Sequence, residues 1–247
     1  MPNRGLGDKD DDRSLAGEAY LLIRQRILTG ELAIGQAVSR RKVATELGMS
    51  FLPVTEALLR LEIEGLLESR PRAGTRVRIP TEEDVRGHYA VRAALEVQAA
   101  RFFAARAEPD EISELSRIAA RVDLLGQTPG SDRVVYLTLH ERLHGRIAQA
   151  ARCPALSEAI EKTHALASTW LCVGQQTNDS GPPRRRHEQL MRELSKRNPE
   201  AAARAMREHI ENSMERAIKR LEPWFGLNHG PRFSRLSRPV QTTEAVS

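Results

Sequence analysis

Pro80 divides this 247-residue chain into a stretch of short helices with a hairpin and a stretch of long helices only, and that change limits the fold more than any other feature. Beyond it the apolar residues recur only at helical spacing, in long runs. The pattern predicts helices over about 81–107, 109–125, 132–151, 154–173, 183–197 and 199–221. Thr81 with Asp84 forms a capping-box-like start, and the QTPGS, CP, NDSGPP and NP segments supply the breaks. Ahead of Pro80 the elements are short. Ser14 caps a helix with Leu15, Ala19, Leu22, Ile23 and Ile27 at helical spacing, stopped by Gly30. Ser39 starts a second helix that ends at Gly48. Ser50 starts a third, with Pro53 in its first turn and Val54, Ala57, Leu58 and Leu61 on its buried side, closed by Gly65. LLESRPRAGTRVRI then reads as two extended runs around an Arg-Ala-Gly turn, a β-hairpin.

The fold class is therefore mainly α. A winged helix-turn-helix occupies 14–80, and an all-α helical bundle of about six helices occupies 81–222. Residues 1–13, with their DKDDD run, are expected to be a disordered tail. Residues 223–247 read as a loosely ordered tail from which Trp224 and Phe225 tuck back onto the helices.

Composition supports helices over a β-sandwich, because aromatics are 4% while Ala, Leu, Arg and Glu recur. Charged residues at 29% beside 40% apolar ones describe a soluble protein, and no apolar run approaches the ~18 residues of a membrane span. The start, MPNRGLGDKDDDR, is too polar and acidic for a standard signal peptide, so a cytoplasmic location is expected. Cys153 and Cys172 cannot build a disulfide framework or a four-thiolate zinc site, and read as two buried thiols. Thirty-eight basic against 33 acidic residues leave a net charge of +5, compatible with a polyanion partner.

The amino-terminal order of elements suits a DNA reader. The helix beginning near Ser50 can enter a major groove by its amino-terminal end, with Arg40, Arg41 and Lys42 on phosphates or bases. Arg70, Arg72, Arg76 and Arg78 add positive charge on the hairpin. On charge alone, a solvated basic face explains these residues equally well.

In the carboxy-terminal part, His140 and His144 are four apart on one helix and share a face, while His187 and His209 lie on the last two helices. Four imidazoles converging in a bundle suit Zn²⁺, Ni²⁺ or another borderline divalent transition ion, not Ca²⁺ or Mg²⁺. Core or surface histidines without metal are the alternative. HERLH at 140–144 also matches the H-E-x-x-H helix of zinc metallohydrolases, with Glu141 as general base. Against that stand a wholly helical surround, no completing zincin motif, and a fourth ligand that closes the ion to water.

Two resemblances sharpen these readings. The stretch from ILTGEL through LGMS-x-x-PV-x-EAL-x-RLE-x-EGL to GTRV resembles the DNA-binding domain of the GntR family of bacterial transcription regulators. That resemblance implies a homodimer on an inverted-repeat operator, with a recognition helix in each major groove and the wing tip, at Arg72 and Gly74, against a minor groove. Arg41 matches a base-contacting arginine, and Ser50 the small hydroxyl residue capping the recognition helix. Phe51 and Thr55 stand where the family usually has Arg, so with Leu52 they imply an altered base preference.

VRAALEVQAARFFAA, LHGRIAQAARCPAL and RHEQLMRELSKRNPEAAARAMREHI resemble the FCD effector domain of the FadR branch of that family, over roughly 82–215. Many such domains hold a metal through an Asp and three His. The three histidines match His144, His187 and His209, and the Asp position is His140. Arg92 matches a recurrent arginine placed to pair with a carboxylate effector, although an intrahelical pair with Glu96 explains it equally. The implied protein is a ligand-responsive regulator, a repressor, sensing a small carboxylate-bearing metabolite.

Overall fold

The computed structural model describes residues 14–72, 74–128, 130–172 and 185–227, and the side chains of 165, 171 and 172 lie outside that description. The tail readings for 1–13 and 228–247 therefore fall outside the described residues. Among those described, the chain runs α1 (Leu15–Thr29), β1 (Ala37–Val38), α2 (Arg40–Leu47), α3 (Phe51–Ile63), β2 (Leu67–Arg70) and β3 (Gly74–Val77). Helices only follow: α4 (Glu82–Arg106), α5 (Pro109–Gln127), α6 (Arg133–Ala150), α7 (Pro154–Cys172), α8 (Arg186–Leu194) and α9 (Pro199–Phe225).

Local chemistry accounts for most of these boundaries. Ser14 accepts from the Gly17 amide, and Ser39 from that of Lys42. Thr81 and Asp84 close a full capping box on α4. Ser50 occupies the N-cap position of α3 but makes no side-chain cap, which corrects that part of the sequence reading. Gly48 adopts φ +63° and joins α2 to α3 by a turn that a side chain would strain.

Two further differences from the sequence reading have physical causes. β1 is two residues long, too short to show a period, yet it completes a sheet of order β1-β3-β2 with Ala37 opposite Arg76 and Val38 opposite Thr75. β2 and β3 form the expected antiparallel hairpin, Arg70 opposite Gly74. The last helix continues through Pro223 to Phe225, because Trp224 and Phe225 pack against the core and hold that final turn. Cys153 is half-buried rather than buried.

A continuous apolar cluster runs from Ile23, Leu58 and Leu61 of the amino-terminal elements into Val85, Phe103, Leu143, Met206 and Ile210 of the helical part. Burying each such side chain contributes roughly 1.5–3 kcal/mol. α4 and α9 are the most extensively packed pair, and α6, α7 and α8 close around them. The amino-terminal elements seat on α6 and α7. Leu28 packs with Leu137 and Tyr136, and Gly65, at φ +79°, lets α7 approach so that Leu166 comes within 3.3 Å of where a β-carbon would stand.

Candidate functional site

α6, α8 and α9 bring His140, His144, His187 and His209 together. All four are buried, and one candidate ligand atom from each lies within 4.8 Å of the others. Ring centroids are 4.7 Å apart for His140 and His144, 5.1 Å for His140 and His187, 5.4 Å for His144 and His209, and 4.9 Å for His187 and His209.

Two buried carboxylates orient the rings. His144 Nδ1 lies 2.8 Å from Glu96 Oε2, and His187 Nδ1 lies 2.6 Å from Asp123 Oδ1. An ionised carboxylate only accepts, so each Nδ1 carries the hydrogen and each Nε2 keeps its lone pair. His144 Nε2, His187 Nε2 and His140 Nδ1 are buried without a hydrogen-bond partner. Carboxylate, imidazole and free nitrogen in that order are the arrangement that fixes a metal-binding tautomer. Burial, reinforced by the neighbouring imidazoles, holds His140 and His209 well below the usual histidine range. Burial pulls His144 down to about 4 despite Glu96. Neutral imidazole is the ligand form, and His140, His144 and His209 are held in it at pH 7, so the cluster fits a divalent transition ion.

Asp123 and Glu96 escaped the sequence reading as ring partners. Asp123 sits on the buried stripe of α5 with Leu115 and Ala119, where a lone carboxylate among apolar residues was the available signal. Its oxygens also accept from the backbone amides of His187 and Glu188, capping α8 from another helix because Arg185 at the N-cap cannot. His164 of α7 is a further buried histidine beside the cluster, its Nε2 3.2 Å from Glu96 Oε1 and its ring 5.0 Å from that of His144.

Arg92 is 1% exposed, and its Nε donates to Glu96 Oε1 at 2.8 Å. The intrahelical pair is thus present, but inside the bundle rather than on its surface. Burial alone raises the Glu96 carboxyl; Arg92, His164 and His144 overcome that and hold it well below its usual value. Glu96 accepts from Arg92 and His144 and stands beside His164, so it acts as a hub ordering this cluster. Glu141 does not share that hub. Its carboxylate takes a two-point ion pair from Arg24 of α1.

On the amino-terminal surface, Arg40, Arg41, Lys42 and Ser50 are exposed at the start of α2 and α3. Phe51 and Leu52 are 55% and 67% exposed, unusual for large apolar residues and adjacent at the tip of α3. Thr55 is half-buried, its hydroxyl donating to the Phe51 carbonyl at 2.8 Å. Arg72 is exposed at the hairpin tip in the left-handed region, φ +64°, followed by Gly74 at +78°. The hairpin is less cationic than a count of arginines suggests, since Arg76 pairs with Glu68 and Arg78 with Asp84. Of the three arginines preceding His187, Arg184 lies outside the described residues and Arg185 is exposed beside Glu188.

Comparison with known proteins gives a consistent answer. The family described as bacterial regulatory proteins, gntR family, matches residues 15–77, and the FCD domain matches residues 88–212, just over half of the chain. The probable D-xylose utilization operon transcriptional repressor of Paenarthrobacter nicotinovorans is 28% identical over 197 residues, 80% of this chain and 86% of its own length. The HTH-type transcriptional repressor RspR of Escherichia coli K12 is 26% identical over 202 residues, 80% of this chain and 86% of its own. Among solved structures, E. coli McbR/YncC gives a TM-score of 0.69 at 20% identity, covering 83% of this chain and 98% of that one. A putative GntR regulator from Rhodococcus sp. RHA1 gives 0.66 at 20% identity, covering 83% and 97%. These two show the shared fold. The matching family and these relatives are regulators rather than enzymes, and the HERLH carboxylate, Glu141, is engaged by Arg24. The chain belongs to the GntR family of bacterial regulatory proteins, with an FCD domain following its DNA-binding helix-turn-helix segment.

Proposed function

We propose that this transcription regulator is a cytoplasmic homodimeric repressor whose helical bundle senses a small carboxylate-bearing metabolite through a metal-containing pocket. In this reading residues 14–80 grip one operator half-site, and residues 81–222 bind effector and dimerise. The observation that carries it is the buried four-histidine cluster with carboxylates behind two of its rings. His140, His144, His187 and His209 would hold Zn²⁺ or Ni²⁺. When bound, the ion supplies positive charge that attracts a carboxylate to the pocket.

The charges around the cluster support an anionic ligand. A divalent ion plus the Arg92 guanidinium outweighs Glu96 and Asp123 by one positive charge, in a site screened from water. Arg92 pairs with Glu96 through Nε while its Nη1 is buried without a hydrogen-bond partner, a donor suited to a ligand oxygen. At the other end, Arg40, Arg41 and the α3 tip from Ser50 through Thr55 enter the major groove, and Arg72 with Gly74 meets the minor groove of an inverted repeat. Both heads must dock together, so a change in their relative placement alters operator affinity.

The test begins with selection of bound sequences from random DNA. Fluorescence anisotropy then follows the selected duplex with chelator-stripped protein, with Zn²⁺ or Ni²⁺ added, and with a panel of small carboxylates. The expected result is an inverted repeat, one metal per protomer, and an affinity that one carboxylate changes in the wild type but not in His187→Ala. Protein that takes up no metal, and whose operator affinity no carboxylate alters, overturns the reading.

A further inference from the structure

α6 has two working faces. One carries His140 and His144 into the buried cluster. The other meets α1, where Leu28 packs with Leu137 and Tyr136, and Arg24 Nη1 and Nη2 donate to Glu141 Oε2 and Oε1. Glu141 follows His140 directly in the chain. A helix moves as a rigid rod, so any turn of α6 that re-aims the His140 ring also carries the Glu141 carboxylate.

The partner on α1 has little freedom to ignore such a movement. The Arg24 side chain is 13% exposed, and its Nε is buried without a hydrogen-bond partner. Burial disfavours the charged guanidinium, but Glu141 overcomes that and raises its pKa above the usual value. Taking the carboxylate away would leave a mostly buried cation without its counter-charge, a costly state. The contact of Leu166 with the turn at Gly65 and the Arg78–Asp84 pair also join the two parts of the chain. The first is apolar and tolerates sliding, and the second ties the first turn of α4 rather than α6. A two-point guanidinium–carboxylate pair fixes orientation as well as proximity.

We propose that the Arg24–Glu141 pair is the coupling contact between the histidine cluster and the DNA-reading segment. α6 acts as the lever, with ligands on one face and the head on the other. Arg24 and Glu141 are positioning residues: they touch neither metal nor DNA, and they set how the state of one site is felt at the other. The inference rests on the metal reading above.

The experiment is hydrogen–deuterium exchange of the full chain, stripped or loaded with Zn²⁺, with bound metal measured on the same samples. Glu141→Gln breaks the pair, the double variant Arg24→Gln with Glu141→Gln removes both charges so that no cation is stranded, and the swap Arg24→Glu with Glu141→Arg rebuilds it reversed. In the wild type and the swap, Zn²⁺ should change amide exchange across α1 by about five-fold or more, the lower end of ordinary allosteric coupling. In the single and double glutamine variants the metal should still bind while α1 becomes indifferent to it. If α1 in the double glutamine variant responds as in the wild type, or if zinc-loaded wild type shows no change there, the coupling role is overturned. Wild type that takes up no zinc overturns the metal reading instead, and the metal measurement separates the two failures.

Discussion

Asp123 holds His187 by both its ring and its backbone. Oδ1 accepts from Nδ1 at 2.6 Å, while Oδ2 accepts from the His187 amide at 2.9 Å. The same oxygen accepts from the Glu188 amide, so one buried carboxylate caps α8 and sets the tautomer of its first-turn histidine. Asp123→Ala should therefore cost stability and metal together. Unsatisfied buried donors cost about 1–3 kcal/mol, and loss of such a ring partner lowers metal affinity roughly 10–100-fold. Asp123→Asn keeps an acceptor for the amides but not the charge, so it should recover much of the stability and little of the affinity. Urea denaturation and zinc competition titration on both variants check this.

Arg92 and Glu96 make the complementary experiment. Arg92→Ala strands a buried carboxylate and should destabilise by about 3–5 kcal/mol. Replacing both, as Arg92→Met with Glu96→Leu, removes the stranded charge and should restore most of the lost stability. It also removes the acceptor of His144 Nδ1, so zinc affinity should stay depressed roughly 10–100-fold. A double variant that binds zinc like the wild type would show that Glu96 only balances Arg92.

Acid should unfold the metal-free protein in a defined window. His140, His144 and His209 titrate below 6.5 in the folded chain, so between pH 6.5 and their folded values the unfolded state binds more protons. Stability is then flat above about 6.5 and falls as pH drops, until for His144 it levels off near pH 4. A shift of that size is on the order of 3 kcal/mol for the one residue. Glu96 adds a loss of the same sign below about 4.5, where its unfolded carboxyl takes up a proton that the folded one refuses. Urea midpoints from pH 7.5 to 4.5 in chelator should decline through that range. In His140→Gln the decline should be shallower.

What the sequence disclosed here follows from the range of the interactions involved. Caps at Ser14, Ser39 and Thr81 act over three residues, and the helical period acts over four, so both leave local patterns. His140 and His144 were legible for the same reason. Asp123 lies 64 residues from His187, and Glu96 lies 48 from His144, separations that no local pattern encodes. Their pairing exists only once α5 has packed on α8 and α4 on α6. β1 was hidden by its length, and the last turn of α9 by Pro223, whose effect is outweighed by the packing of Trp224 and Phe225. Glu141 was visible within HERLH, but its partner Arg24 lies 117 residues away, so the motif pointed to chemistry where the fold built a contact.

Base preference should follow the α3 tip. Phe51 is more than half exposed and carries no packing role, so Phe51→Arg should change stability by no more than about 0.5 kcal/mol. A guanidinium there can reach guanine O6 and N7, and one such bidentate contact discriminates by roughly 1–3 kcal/mol. Selection from random DNA should thus enrich guanine at one position of each half-site in the variant, and a thymine-tolerant base in the wild type, whose Phe51 and Leu52 offer only apolar surface to a methyl group. Arg40→Ala supplies the contrast. If that exposed residue meets phosphate, the variant should weaken binding to every sequence alike and reduce the slope of log affinity against log salt by about 0.9 per half-site. An unchanged selection profile in Phe51→Arg, with the Arg40→Ala salt slope reduced, would place α3 against the backbone and move sequence reading to the wing at Arg72.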